Sequence, residues 1–148
     1  MQARAITPQI TVSDQPTEDE IKVLPDQGYV GVINARHDGE PEQPLNTTEE
    51  GARVREAGMD YLNVPVGAPP LSEEGVRKVF DFLDRHANGR VLVHCRKGGR
   101  AAALVLLHQA RARGWKPFEV FDKGEAMGLK VEGKLREAVA QFLAAHPS

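Results

Sequence analysis

Two periods of apolar residues alternate along the chain. Short runs rich in valine and isoleucine, of the kind a buried parallel strand needs, stand at residues 5–12 (Ile6, Ile10, Val12), 29–33, 60–66 and 91–93. Helical signals lie between them. Thr17 and Glu20 have capping-box spacing ahead of Ile21 and Leu24, and Pro25 interrupts that helix. Thr47 and Glu50 read as a second box leading a helix through Ala57, which Gly58 ends. Ser72, followed by Glu73 and Glu74, starts a helix with Val76, Val79, Phe80 and Leu83 on one face. Residues 101–113 are apolar nearly all round through Leu107, as a buried helix is. Trp115-Lys-Pro117 leads into a helical segment closed by Gly128, and Leu135, Val139, Phe142 and Leu143 stripe a last helix ending near Ala145. Pro69-Pro70 stiffens the loop after the third run.

Strands alternating with helices predict an α/β fold, with a mostly parallel central sheet flanked by helices. With no linker, repeat or low-complexity tract, residues 1–148 read as a single domain. The carboxyl ends of parallel strands are where such folds bind ligands, and Asn34 to Glu40 follows one of them.

Composition narrows the function classes. A hydrophobic fraction of 41% with 27% charged residues is ordinary for a soluble chain, and a net charge of −2 offers no general attraction to nucleic acid or anionic membrane. No apolar run is long enough to span a bilayer, and the first residues lead to the expectation of no charged leader. The single cysteine cannot form an internal disulfide. These features predict a cytoplasmic protein with neither nucleic acid nor membrane as partner. No metal-ligand spacing or nucleotide-binding glycine motif is present, so neither metal nor cofactor is expected.

The cysteine stands where the chemistry concentrates. His94-Cys95-Arg96-Lys97-Gly98-Gly99-Arg100 joins a buried strand to a buried helix. Gly98 and Gly99 allow the backbone to turn its N–H groups into one concavity at the positive end of that helix, which suits a tetrahedral anion. A thiol at the base of such a loop is favoured as the thiolate, the reactive form. Cys95 is therefore read as the nucleophile. Arg100 supplies a planar fork for two anion oxygens, and Arg96 and Lys97 add local positive charge. His94 and Arg36, each at a strand end, complete the expected anion-binding set. Removing Arg100 is expected to cost anion binding but not stability.

This loop resembles the phosphate-binding signature of cysteine-dependent tyrosine and dual-specificity phosphatases. With Ser13-Asp-Gln-Pro-Thr17, Gly28-Tyr-Val-Gly-Val-Ile-Asn-Ala-Arg36 and Tyr61-Leu-Asn-Val-Pro-Val66, the chain more closely resembles the phosphatase-like domain of bacterial beta-lactamase hydrolase-like proteins. The resemblance implies a phosphatase-like fold and a phosphorylated small molecule or protein as substrate, and leaves oligomeric state open.

Three departures bear on turnover. Cys95 and Arg100 stand one residue closer than in tyrosine phosphatases, at the spacing of many rhodaneses. Ala101 replaces the hydroxyl that helps release the thiolate. Gly67-Ala-Pro-Pro-Leu71 lacks the general-acid aspartate of the dual-specificity enzymes. Asp38, with Glu40 beside it, is the expected substitute acid. The leading expectation is hydrolysis of aryl phosphate or phosphotyrosine-type monoesters through a phosphocysteine. A rhodanese-like sulfurtransferase with a Cys95 persulfide needs neither acid nor hydroxyl, and a non-catalytic phosphate-binding module would use the same loop.

Overall fold

The stretch read as one first strand is two, β1 (Ala3–Ala5) and β2 (Ile10–Ser13), paired antiparallel with Ala3 opposite Ser13. Thr7 reverses the chain: its Oγ1 accepts from the N–H groups of Gln9 and Ile10 at 3.1 and 2.9 Å. A polar side chain that satisfies two backbone donors favours a turn over a continued ladder. β3 (Tyr29–Asn34), β4 (Asp60–Asn63) and β5 (Arg90–His94) complete a sheet of order β1-β2-β5-β3-β4, parallel except at β1. The computed structural model describes residues 1–67 and 71–146, so Pro69 and Pro70 lie outside the described residues.

Both faces of the sheet are covered, which is why its central strands are apolar without alternation. Val91 and Val93 of β5 pack on one side with α3 (Glu73–Arg85), α4 (Gly99–Arg113) and α6 (Gly133–Ala145). Leu92 and Val32 face the other side, against Ile21 of α1 (Glu18–Val23) and Val54 of α2 (Thr47–Glu56). α4 is buried from Ala101 through Ala110, as its all-round apolar sequence requires. The short α5 (Val120–Ala126) packs closely on it: a Cβ at Gly124 would lie 2.2 Å from Leu106 Cδ1. Among the described residues no helix is long and apolar enough to cross a membrane.

Two local expectations change. The second capping box is Asn46 with Glu49, one residue early; Asn46 Oδ1 accepts from Glu49 N–H at 2.8 Å, and Glu49 Oε1 from Asn46 N–H at 3.1 Å. That register frees Glu50 to point inward, where it is fully buried. On α3 the buried stripe is Val76, Val79, Phe82 and Leu83, with Phe80 only partly covered. Phe82 occupies the space that Gly31 leaves open on β3, where a Cβ would come within 2.8 Å of its ring.

Candidate functional site

β2, β3 and β5 end together at Ser13, Asn34 and His94, and the loop after β5 is built on those ends. Cys95 N–H donates to Ser13 C=O at 3.4 Å, and Gln15 N–H donates to Arg96 C=O at 3.3 Å. Gly98 then turns the chain with φ +103°, a left-handed conformation that glycine adopts without strain, and becomes the N-cap of α4. Its N–H donates to Cys95 Sγ at 3.0 Å. The sulfur therefore sits at the positive end of α4 and accepts a backbone hydrogen bond. Cys95 is buried.

The guanidinium fork of Arg100 closes the far side. Nη1 donates to Glu40 Oε2 at 2.7 Å and to Val66 C=O at 3.1 Å, and Nη2 donates to Glu40 Oε1 at 2.6 Å. Hydrogen bonding to Glu40 outweighs burial and holds the Arg100 guanidinium above its ordinary range, with Cys95 acting in the same direction. Burial opposes charge on Glu40, yet hydrogen bonds from Arg100, the His37 N–H and Arg36 prevail and hold its carboxyl down at about 2. Glu40 is thus an ionised partner of Arg100 at neutral pH, not a proton donor.

The sign of the Glu40 shift gives a testable pH dependence. A lowered carboxyl value contributes stability that is complete above its ordinary 4.5 and is lost as pH falls from there through about 2. Glu40→Gln should remove this part of the acid sensitivity. Melting temperatures of the parent and variant, followed across that window, should converge as the pH falls.

Several expected site residues lie elsewhere. Arg36 is fully buried and committed: Nε pairs with Glu40 Oε1 at 3.1 Å, and Nη1 donates to Gln15 Oε1 at 2.8 Å and Glu42 C=O at 3.0 Å. It shapes the loop that carries Glu40 instead of facing an anion. His94 is also fully buried, with Nε2 2.7 Å from Glu50 Oε2 and Nδ1 3.4 Å from Cys95 C=O. It supports the loop from below. Asp38 accepts from Thr47 N–H at 2.7 Å and from Thr47 Oγ1 at 3.3 Å, so the expected acid is engaged at the start of α2. Arg96 pairs with Glu42 at the surface, and Lys97 is exposed. Gly99 backs onto α6: a Cβ there would lie 3.3 Å from Leu135 Cδ1. Ala101 is fully buried, leaving no hydroxyl beside Arg100.

Sequence reasoning missed Gln15 and Glu50. A signal for Glu50 existed, since it stands one helical turn before Val54 on the inward face of α2. The signal for Gln15 was its position just past the end of β2. The segments around Asn34 and Tyr61 serve the same loop: Asn34 Oδ1 accepts from Arg36 N–H at 2.9 Å, Asn34 Nδ2 donates to Tyr61 Oη at 3.1 Å, and Tyr61 Oη donates to Thr47 C=O at 2.9 Å.

A cavity of about 660 Å³ opens above Arg100 and Glu40, walled by Val66, Leu71, Leu135 and Ala138. It offers room for an apolar group attached to a bound anion.

Residues 2–112 match the family described as beta-lactamase hydrolase-like protein, phosphatase-like domain. A beta-lactamase hydrolase-like protein of Agrobacterium fabrum is 37% identical over 130 residues, which cover 87% of this chain and 30% of that protein. One from Xylella fastidiosa is 37% identical over 125 residues, 84% of this chain and 28% of that protein, so the chain spans less than a third of the length of these relatives. Among solved structures, a candidate phosphatase from Shewanella putrefaciens superposes with a TM-score of 0.76 at 27% identity, covering 99% of this chain and 93% of that one. Tk-PTP in its active form, 19% identical, shares the fold with a TM-score of 0.78 over 97% of each chain.

Proposed function

Because the chain belongs to the phosphatase-like domain family of beta-lactamase hydrolase-like proteins, we propose that Cys95 is the nucleophile for phosphate monoesters bearing good leaving groups, aryl phosphates above all. The observation that carries this reading is the Gly98 N–H on Cys95 Sγ beside the Arg100 fork. The thiolate attacks phosphorus and the phosphorus–oxygen bond to the leaving group breaks, giving a phosphocysteine. Water then attacks the same phosphorus, the sulfur–phosphorus bond breaks, and phosphate leaves with the thiolate restored. The α4 amides stabilise the equatorial oxygens, and Arg100 joins them once the anion takes the place of Glu40 in its fork. With Asp38 engaged at Thr47 and Glu40 ionised, the leaving group departs without an enzymic proton, which favours phenolate-type groups over alkoxides.

A second reading has its own support. The stretch from Gly67 to Leu71 carries no acid, Ala101 offers no hydroxyl and the Cys95–Arg100 spacing is short, all of which suit sulfur transfer. Cys95 would attack the outer sulfur of thiosulfate, break the sulfur–sulfur bond, release sulfite and hold a persulfide. Cyanide would then take that sulfur as thiocyanate and restore the thiolate. Hydrolysis of p-nitrophenyl phosphate and thiosulfate-to-cyanide transfer, assayed side by side on one preparation, separate the two. The phosphatase reading predicts the first activity and not the second. Sulfur transfer alone would overturn it, and phosphate binding with neither activity would mark a binding module.

A further inference from the structure

The Ser13–Thr17 segment has no role in the chemistry above, yet one of its side chains touches both halves of the site. Gln15 lies between two buried pairs of opposite polarity. Its Oε1 accepts from Arg36 Nη1 at 2.8 Å, and its Nε2 donates to Glu50 Oε1 at 3.0 Å. Beyond Arg36 the path runs through Glu40 to Arg100; beyond Glu50 it runs through His94 to the Cys95 carbonyl. The backbone of Gln15 also holds the loop, through its N–H on Arg96 C=O. A side chain that accepts from a guanidinium on one side and donates to a carboxylate on the other fits both without adding charge. A carboxylate there would face Glu50, and an ammonium would face Arg36.

We propose that Gln15 is a positioning residue whose amide couples the His94–Glu50 pair beneath the nucleophile to the Arg36–Glu40 pair behind Arg100, fixing the cationic fork relative to Cys95. The inference rests on the reading of Cys95 and Arg100 as nucleophile and clamp. Misplacing a catalytic group by about 1 Å from a distance costs on the order of 10²-fold in rate, and Gln15 is the link whose loss allows such a shift.

The test uses a readout that needs no turnover. Iodoacetate and iodoacetamide alkylate the same sulfur, but only iodoacetate carries an anion for Arg100 to attract, so the ratio of their rates at Cys95 reports where the fork stands. Gln15→Leu should lower that ratio by about tenfold, the smaller end of the range for electrostatic focusing in a cleft, and should lower kcat for p-nitrophenyl phosphate more than it raises KM. The paired variant Gln15→Glu with Glu50→Gln keeps the links to Arg36, to residue 50 and on to His94, giving up only the Nε2 bond to Pro16 C=O at 3.0 Å, and moves the charge by one position, so it should restore the ratio. A parental ratio in folded Gln15→Leu would overturn the inference, as would failure of the paired variant to restore the ratio while its melting temperature is recovered. If Gln15→Leu does not fold, the paired variant alone decides. A parent that keeps a high ratio but has neither enzymatic activity would sink the proposed function while leaving Gln15 as the link between sulfur and fork.

Discussion

Serine in place of Cys95 is expected to abolish turnover, by on the order of 10⁴-fold or more, and to leave the fold standing. The hydroxyl is close to the thiol in size and can accept the Gly98 N–H that now reaches Sγ at 3.0 Å. Cys95 sits between the end of β5 and the start of α4, its N–H held by Ser13 C=O and its side chain buried in the core, so a group of nearly the same size keeps the packing. What is lost is the nucleophile. An alcohol at that position is not ionised near neutral pH, and the described residues nearest it include no free base: His94 is bonded to Glu50, and Glu40 is held by Arg100 and Arg36. The result is read from p-nitrophenyl phosphate hydrolysis alongside a thermal melt. Residual activity within about tenfold of the parent would show that Cys95 does not carry the reaction, given what loss of a nucleophile otherwise costs.

Arg100→Ala is expected to cost roughly 10²–10³-fold in rate, the usual loss of one preorganised oxyanion contact. Arg100→Lys should recover little of it, because a single ammonium cannot reproduce two donors in one plane. The structure revises the expectation for stability. Glu40 is nearly buried and receives both arms of Arg100, so removing the arginine leaves a carboxylate that keeps Arg36, the His37 N–H and the His37 ring Nε2 at 3.3 Å but has lost its bidentate partner. Loss of one partner of a buried pair destabilises through the charge left behind. Arg100→Ala alone should therefore lower the melting temperature, and adding Glu40→Gln should recover only part of that loss and none of the activity, because it removes the stranded carboxylate but leaves the fully buried Arg36 without its ion pair. An Arg100→Ala protein that melts with the parent would show that the Arg100–Glu40 pair does not stabilise the fold.

The architecture was legible in the sequence because hydrophobic period and strand length agree over most of the chain. Residues 91–93 carry no alternation, and β5 is covered on both faces; residues 101–107 are apolar all round, and α4 is buried all round. The first strand was misread because Ile6, Ile10 and Val12 look continuous, and nothing in apolar spacing reveals that Thr7 caps a reversal. The second capping box slipped by one residue because Thr47 and Asn46 are both good caps. Burial of Glu50 on His94, a long-range contact, goes with the register that uses Asn46.

The site divides the same way. Cys95, Gly98 and Arg100 are adjacent in sequence, and the local turn is enough to bring them together. The second layer is assembled from three separate segments, one with Gln15, one with Arg36 and Glu40, and one with Glu50, and its pairings depend on the sheet order that sets β2 and β3 on either side of β5. Arg36 and His94 looked like anion ligands because a cation or imidazole at a strand end often is one. Their complete burial against Glu40 and Glu50 assigns them to support.

If Cys95 takes up the transferred group, the mass of the cysteine peptide records it. The protein is mixed with excess p-nitrophenyl phosphate, quenched in acid within the first turnovers, digested and weighed, with a thiosulfate-treated sample in parallel. The peptide carrying Cys95 should gain the mass of one phosphoryl group with the first substrate, and that of Cys95→Ser should gain none. An unmodified Cys95 peptide during active turnover, or a gain of one sulfur atom with thiosulfate and nothing with the phosphate ester, would contradict that uptake.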